Sequence, residues 1–214
     1  VLDSGALAAH ARCRGIRVLV TWHATFLQHG EDINHDDLLA AIAGTRGGIV
    51  ERIGFTKVGM EAAFTRAGIP ATSVMNHLRV APRVAPPGGE RLATAGIWSV
   101  GAVWRKLPYA MLAACAELDP VPLVRTSRTD PWLATLADTL GVPLEGFGGP
   151  VPRAQVLDAL AACDLNLYVT LSECGPMMIL ESFVAGRPCL IGPNSHYFDD
   201  DPFLRDRLVA TEPD

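Results

Sequence analysis

The strongest constraint on the fold is an alternation of short strand-like runs with helix-like runs, kept up along the chain. In the second half, TAGIWSV (94–100) reads as a strand and KLPYAMLAACAEL (106–118) as a helix. VPLVRTS (121–127) is the next strand, and PWLATLADTLG (131–141) a helix with Pro at its start and Gly at its end. A short strand near VPLEGF precedes the helix PRAQVLDALAAC. LNLYVTL (165–171) reads as a fully apolar strand, which predicts a central position in a sheet covered on both faces. Pro176 to Ala185 reads as a helix, PCLIG as a strand and DPFLRDRL as a last helix. Strands and helices alternating at this length imply a parallel sheet built by right-handed crossovers.

The first part alternates more loosely. Ala6 to Cys13 reads as a helix, RVLVTWH (17–23) as a strand and DDLLAAIAG as a helix. A strand in GGIVERIGF, a helix in KVGMEAAFTRAG and a strand in ATSVMN follow. Gly68 is placed to end its helix, and Pro70 prevents continuation. Between the two parts lies RVAPRVAPPGGERL, whose PPGG (86–89) is the clearest linker in the chain. The expected organisation is an N-terminal domain over 1–80, a linker over 81–93 and a C-terminal domain over 94–214. The chain opens at Val1 in helix-like text and stops at TEPD, so it reads as a fragment cut at both ends, with the N-terminal lobe incomplete.

Composition narrows the class. With 214 residues, nearly half of them apolar, the chain has ample core material for a globular protein. A formal charge of −5 argues against a general nucleic-acid binder, while leaving room for a local basic site. No apolar run reaches the roughly 18 residues of a transmembrane helix. The five cysteines, Cys13, Cys115, Cys163, Cys174 and Cys189, are odd in number and lack C-x-x-C spacing. They read as reduced thiols, most of them small buried hydrophobes, and point to the cytoplasm.

The chemistry concentrates in SECGPMMILESFVAGRPCLIG (172–192). Glu173 falls just past the C-terminal end of LNLYVTL, where open parallel sheets bind ligands. Gly175 lets a ligand approach the backbone, and Pro176 suits the first helical position. The unpaired amides of the following turn form a ready site for anions and hydroxyl oxygens. Glu181 lies about 1.5 turns into that helix, at 3.6 residues per turn. Carboxylates accept from two neighbouring hydroxyls and so suit sugar diols. Ordinary carboxylates near a helix N-terminus, favoured by its dipole, are the plainer alternative.

With its flanks, this segment resembles the retaining glycosyltransferases of family four, which have the GT-B fold. Ser172, Glu173, Gly175, Glu181, Ser182, Ala185, Gly186 and Pro188 match that family's pattern. The loop Cys174-Gly175-Pro176-Met177-Met178 departs from it, since many members have Gly-Phe-Gly-x-Pro there. PRAQVLDALAACDLNLYVTLSE is similar to the helix and strand that precede the segment in the family, and AGIWSVGAVWRKL to the first strand and loop of its nucleotide-binding domain. Lys106 matches a lysine that grips the donor diphosphate. Ala102 stands where the family usually has an arginine, a role that Arg105 could take over. In RVLVTWHATF, His23 matches a histidine that approaches the transferred sugar, and Asn76 matches an asparagine before the interdomain crossover.

The resemblance implies an α/β protein of GT-B type, with two Rossmann-like lobes. It implies transfer of a sugar from a nucleoside-diphosphate donor to a hydroxyl of a glycan, lipid or small-molecule acceptor, with retention of configuration. Glu173, Gly175, Pro176 and Met177 would hold the donor sugar and Glu181 the ribose. Arg105 and Lys106 would hold the diphosphate, with His23 closing on the sugar from the other lobe. The scheme needs no metal and no cofactor, since the nucleotide-sugar is the substrate. It leaves room for peripheral membrane contact, at the inner face, through a preceding region. A non-catalytic nucleotide-sugar-binding or scaffold protein of the same fold, or a nucleotide-sugar epimerase, are the alternatives.

Three further patterns have simpler explanations. Asp199-Asp200-Asp201 precedes PFLRDRL and reads as a helix cap with acids around it rather than a metal-binding Asp-x-Asp. His29, Glu31, Asp32, His35, Asp36 and Asp37 lack a zinc spacing and read as a solvated loop and helix start. GFGG (146–149) is not a dinucleotide fingerprint.

Overall fold

The computed structural model describes residues 4–25, 35–79, 82, 92–98, 104–147 and 151–210. The chain divides into two compact units, one of residues 1–77 with 173–175, the other of 78–172 with 176–214. Of the expected linker, only residues 82, 92 and 93 are described.

The first unit carries α1 (Ser4–Cys13), β1 (Leu19–Trp22), α2 (Asp36–Arg46), β2 (Arg52–Phe55), α3 (Met60–Arg66) and β3 (Ala71–Ser73). Its strands form a parallel sheet in the order β1-β2-β3, with Val20 beside Ile53 and Ile53 beside Ala71. Leu38 and Ala41 of α2 and Met60 of α3 bury against Ile53 and Phe55, which are 0% and 1% exposed. The strand expected from Gly47 starts only at Arg52. The reason is local: the main-chain N–H groups of Gly47, Gly48, Ile49 and Val50 turn back to the carbonyls of Ala43, Thr45 and Gly44, closing α2. Gly68, at φ +74°, ends the next helix as its sequence predicts, with Ile69 N–H donating to Phe64 O at 3.0 Å.

The second unit carries β4 (Thr94–Ile97), a 3-10 turn (Trp104–Lys106), α4 (Pro108–Ala116), β5 (Leu123–Thr126) and α5 (Pro131–Leu140). It continues through β6 (Leu144–Gly146), α6 (Arg153–Ala161), β7 (Leu165–Tyr168), α7 (Met177–Val184), β8 (Cys189–Ile191) and α8 (Pro202–Leu208). All five strands are parallel, in the order β6-β5-β4-β7-β8. One face is covered by α4 and α5, where Ile97, Leu112, Val124 and Leu133 are at most 2% exposed. On the other face Trp98, Leu160, Cys163 and Ala185 cluster, and Ile179 packs with Ile191. Each fully buried side chain of this size contributes about 1.5–3 kcal/mol.

β7 is central, between β4 and β8, as its apolar run predicts. Its one strongly polar residue, Asn166, is nonetheless completely buried. It accepts from the indole N–H of Trp98 at 2.6 Å and donates to Leu160 O at 3.3 Å, so both of its polar atoms are satisfied. Gly96 makes room for that pair, since a Cβ there would fall 2.2 Å from Trp98 Nε1. At the head of β7, Asp164 accepts from the main-chain N–H groups of Ala93 and Thr94 and from the Thr94 hydroxyl, all within 2.9–3.0 Å. That staples β7 to the start of β4. Asp130 caps α5 by accepting from Trp132 and Leu133 N–H, and Gly141 at φ +68° ends it. Among the described residues no helix is long and apolar enough to cross a membrane.

Candidate active site

The topology of the second sheet selects one crevice. From β4 the chain builds outward to β5 and β6 at one edge, and from β7 it builds to β8 at the other. The order reverses between β4 and β7, and open α/β sheets bind ligands beyond the carboxyl ends of the strands at such a point. The two segments that leave the sheet there contain the residues singled out in the sequence. After β4 come Arg105 and Lys106 on the 3-10 turn, and after β7 come Glu173 to Met177.

β7 stops at Tyr168, earlier than its apolar run implies. The donors beyond it leave the ladder: Val169 N–H points to Met111 Sδ at 3.4 Å, and Leu171 N–H donates to Arg105 O at 2.8 Å. The guanidinium of Arg105 returns to the same segment, Nη1 donating to Ser172 O at 3.1 Å. Lys106 donates to the Tyr168 hydroxyl, with Nζ 4.8 Å from the ring centroid. The 3-10 turn and the 168–172 segment therefore form one hydrogen-bonded block. Arg105 is only 6% exposed in it, while Trp104 beside it is 59% exposed.

Glu173 and Glu181 are both buried, at 7% and 3% exposure. Gly175 has φ +134°, a backbone setting that side-chain-bearing residues avoid. Pro176 is the N-cap of α7, at φ −68° and ψ 127°, and the helix begins at Met177. The expected first-turn proline thus sits one place earlier, outside the helix, and offers no side-chain acceptor to the amides that follow. Its own carbonyl accepts from the Tyr197 hydroxyl at 3.0 Å, which ties the loop after β8 to the start of α7. Ser182 donates to Met178 O at 2.8 Å and is fully buried.

In the first unit, His23 follows β1 and is exposed. Its carbonyl accepts from Cys174 Sγ at 2.7 Å, and the Asn76 side-chain amide donates to Gly175 O, all four residues belonging to this unit.

Tyr168 and Tyr197 are structural partners of the site that sequence reasoning missed. For Tyr168 a signal existed, a polar-tipped aromatic at the carboxyl end of an apolar strand. Tyr197 lies in loop text that carried none.

Of the other expectations, Asp201 is the N-cap of α8, accepting from Leu204 N–H at 3.1 Å, and Asp199 bonds His196 Nδ1 at 2.8 Å. Asp36 and Asp37 occupy the first turn of α2. Ala102, His29, Glu31, Asp32, Gly148 and Gly149 lie outside the described residues. Among the described residues no group of acidic, His and Cys side chains could hold a metal ion.

Neither a protein-family model nor a curated protein sequence matches the chain. Solved structures do. One is Anabaena Alr3699/HepE in complex with UDP and glucose, with a TM-score of 0.62 at 16% identity, over 87% of this chain and 55% of that one. A mutant of TarM from S. aureus, in complex with Fondaparinux, alpha-GlcNAc-glycerol and UDP, gives 0.64 at 10% identity, over 86% and 38%. Sucrose-phosphate synthase from Thermosynechococcus elongatus gives 0.61 at 13% identity, over 89% and 54%. The chain thus spans between 38% and 55% of the length of these three proteins. Likeness at such identities shows the fold: the chain is an α/β protein with the parallel sheets of the GT-B glycosyltransferases.

Proposed function

We propose that this chain belongs to a glycosyltransferase, in which it binds a nucleoside-diphosphate sugar and takes part in moving the sugar to an acceptor hydroxyl with retention of configuration. The observation that carries this reading is the chain order at the switch point of the second sheet: Arg105 and Lys106 follow β4, and Glu173 and Glu181 follow β7. The solved structures of like fold include UDP complexes, which supports a nucleotide donor.

In this reading the bond from the sugar's anomeric carbon to the diphosphate oxygen breaks, and the diphosphate keeps the electron pair. A bond from the anomeric carbon to the acceptor oxygen forms, and that oxygen's proton passes to the departing diphosphate. Negative charge grows on the departing diphosphate. The Lys106 ammonium and the amides at the start of α7 oppose it. Glu173 and the Gly175–Met177 backbone accept from and donate to the sugar hydroxyls, and Glu181 takes the ribose diol. His23 approaches the sugar. The chemistry calls on no metal, and the acceptor is a glycan, a lipid or a small molecule.

A second reading, a binding protein without turnover, is favoured by Ala102 at the place of the usual arginine and by the burial of Arg105. Sugar transfer by the full-length protein from UDP-, GDP- and ADP-sugars separates the two. Turnover lost in Glu173→Ala and Lys106→Ala supports transfer. Tight binding of a nucleotide-sugar with no turnover to any acceptor or to water favours the binding protein.

A further inference from the structure

We infer that Arg105 is a positioning residue, which sets the Ser172–Glu173 corner and does not bind the donor diphosphate. The inference rests on the donor-site reading above and assigns this cation a different task within it. Arg105 grips the segment after β7 twice. Its main-chain carbonyl receives Leu171 N–H at 2.8 Å, and its guanidinium Nη1 donates to Ser172 O at 3.1 Å. The two contacts bracket consecutive residues, and the peptide carbonyl held by the guanidinium is the one bonded to the nitrogen of Glu173.

The side chain is 6% exposed, and Ser172 is 4% exposed. Swinging the guanidinium out to a phosphate would leave the Ser172 carbonyl buried without this donor, a costly state for a backbone acceptor. A charge-assisted bond in a shielded place is among the stronger single contacts a protein makes. Lys106 is different. Its ammonium donates to a tyrosine hydroxyl at the end of β7, and the residue is only half-buried, so a phosphate oxygen can reach it. The adjacent cations therefore divide the work: Lys106 faces the ligand, and Arg105 shapes the loop that carries the sugar-binding glutamate.

The test uses the full-length protein with Arg105→Met, Arg105→Lys, Lys106→Met and Glu173→Ala. UDP, GDP and ADP, and their glucose conjugates, are titrated in turn by calorimetry. A positioning role predicts that both Arg105 variants hold the nucleoside diphosphate within about threefold of the unaltered protein. Their preference for the sugar-bearing form should fall about tenfold or more in Arg105→Met and be partly restored in Arg105→Lys. It also predicts that Arg105→Met adds little to Glu173→Ala, because both disturb one group. Amide hydrogen exchange over residues 169–176 should quicken in Arg105→Met. A loss of nucleoside diphosphate affinity in Arg105→Lys as large as that in Lys106→Met would overturn the inference, as would unchanged exchange over 169–176. Failure of the unaltered protein to bind any of the six ligands removes the donor-site reading itself, and the inference with it.

Discussion

The indole N–H of Trp98 donates to the side-chain carbonyl of Asn166 at 2.6 Å, inside a sheet where Asn166 has no exposed surface. The bond crosses from the end of β4 to β7, the two strands that flank the switch point, and Gly96 leaves the space for it. Replacing Asn166 by Leu keeps roughly the volume but leaves the indole N–H without its acceptor and takes from the Leu160 carbonyl one of its donors, the other being Cys163 N–H. The expected loss is about 2–3 kcal/mol of stability. Gly96→Ala pushes a methyl against the same pair and should cost about 1–3 kcal/mol. Urea midpoints should drop in both, at unchanged slope.

Asp164 couples stability to acid. Burial works to raise its carboxyl, but hydrogen bonds from the Thr94 main chain and hydroxyl and from Ala93 N–H, with Arg187 nearby, hold it below the ordinary carboxylate value. A depressed folded value means that the contribution is fully present above the unfolded value of about 3.9 and is lost as pH falls through the lower folded value. Asp164→Asn should therefore be less stable than the unaltered protein at neutral pH, by about 1–2 kcal/mol. The gap should narrow below pH ~4. Urea unfolding from neutral pH downward measures this, and a gap independent of pH would contradict the assignment.

How much of this could be read from the sequence varies by element. The strand–helix alternation located the described strands of the second unit: β4, β7 and β8 as largely buried apolar runs, and β5 and the exposed edge strand β6 by their places between helices. Strand ends were not legible. β7 stops at Tyr168 because Leu171 N–H finds the Arg105 carbonyl, a partner over sixty residues away that no local pattern announces. The same holds for Asn166, polar inside an apolar run, whose partners lie just past β4 and on α6. The placement of Glu173 just past a strand and of Glu181 within the following helix was legible, because an apolar run ends and a helical pattern starts there. Arg105 was legible only as a cation. That its guanidinium turns inward to Ser172 is a fact of packing, not of spacing.

The cysteines give a direct chemical readout. Burial pushes the thiols of Cys115 and Cys163 up to about 11 and that of Cys189 up to about 12, so all three stay protonated at pH 8. The thiolate is the reacting form. Cys13 is exposed, and Cys174 is half-buried with its sulfur donating to His23 O. Iodoacetamide at pH 8 should label Cys13 first and Cys174 more slowly. Cys115, Cys163 and Cys189 should be labelled only after denaturation. Mass spectrometry of the digested chain assigns each site, and early labelling of any of those three would contradict the packed core around it.

Lys106 and Tyr168 provide the sharpest test of the proposed site. The ammonium is held by the tyrosine hydroxyl and lies near the ring face, so its direction at the end of β7 is set before any ligand arrives. A charged hydrogen bond to a phosphate oxygen contributes about 1.5–3 kcal/mol, which is roughly a 10- to 150-fold change in affinity. Lys106→Met should weaken nucleoside diphosphate binding within that range. Tyr168→Phe keeps the ring and removes only the hydroxyl that orients the ammonium, so it should cost less, about two- to fivefold, or below about 1 kcal/mol. Lys106→Arg keeps the charge but replaces the compact ammonium held by the tyrosine hydroxyl with a larger planar group, so it should restore only part of the loss. Titration calorimetry with UDP, GDP and ADP measures all three. Equal losses in Lys106→Met and Tyr168→Phe would mean that the pair acts as a structural unit of the β7 end and not as a ligand-facing cation on its support.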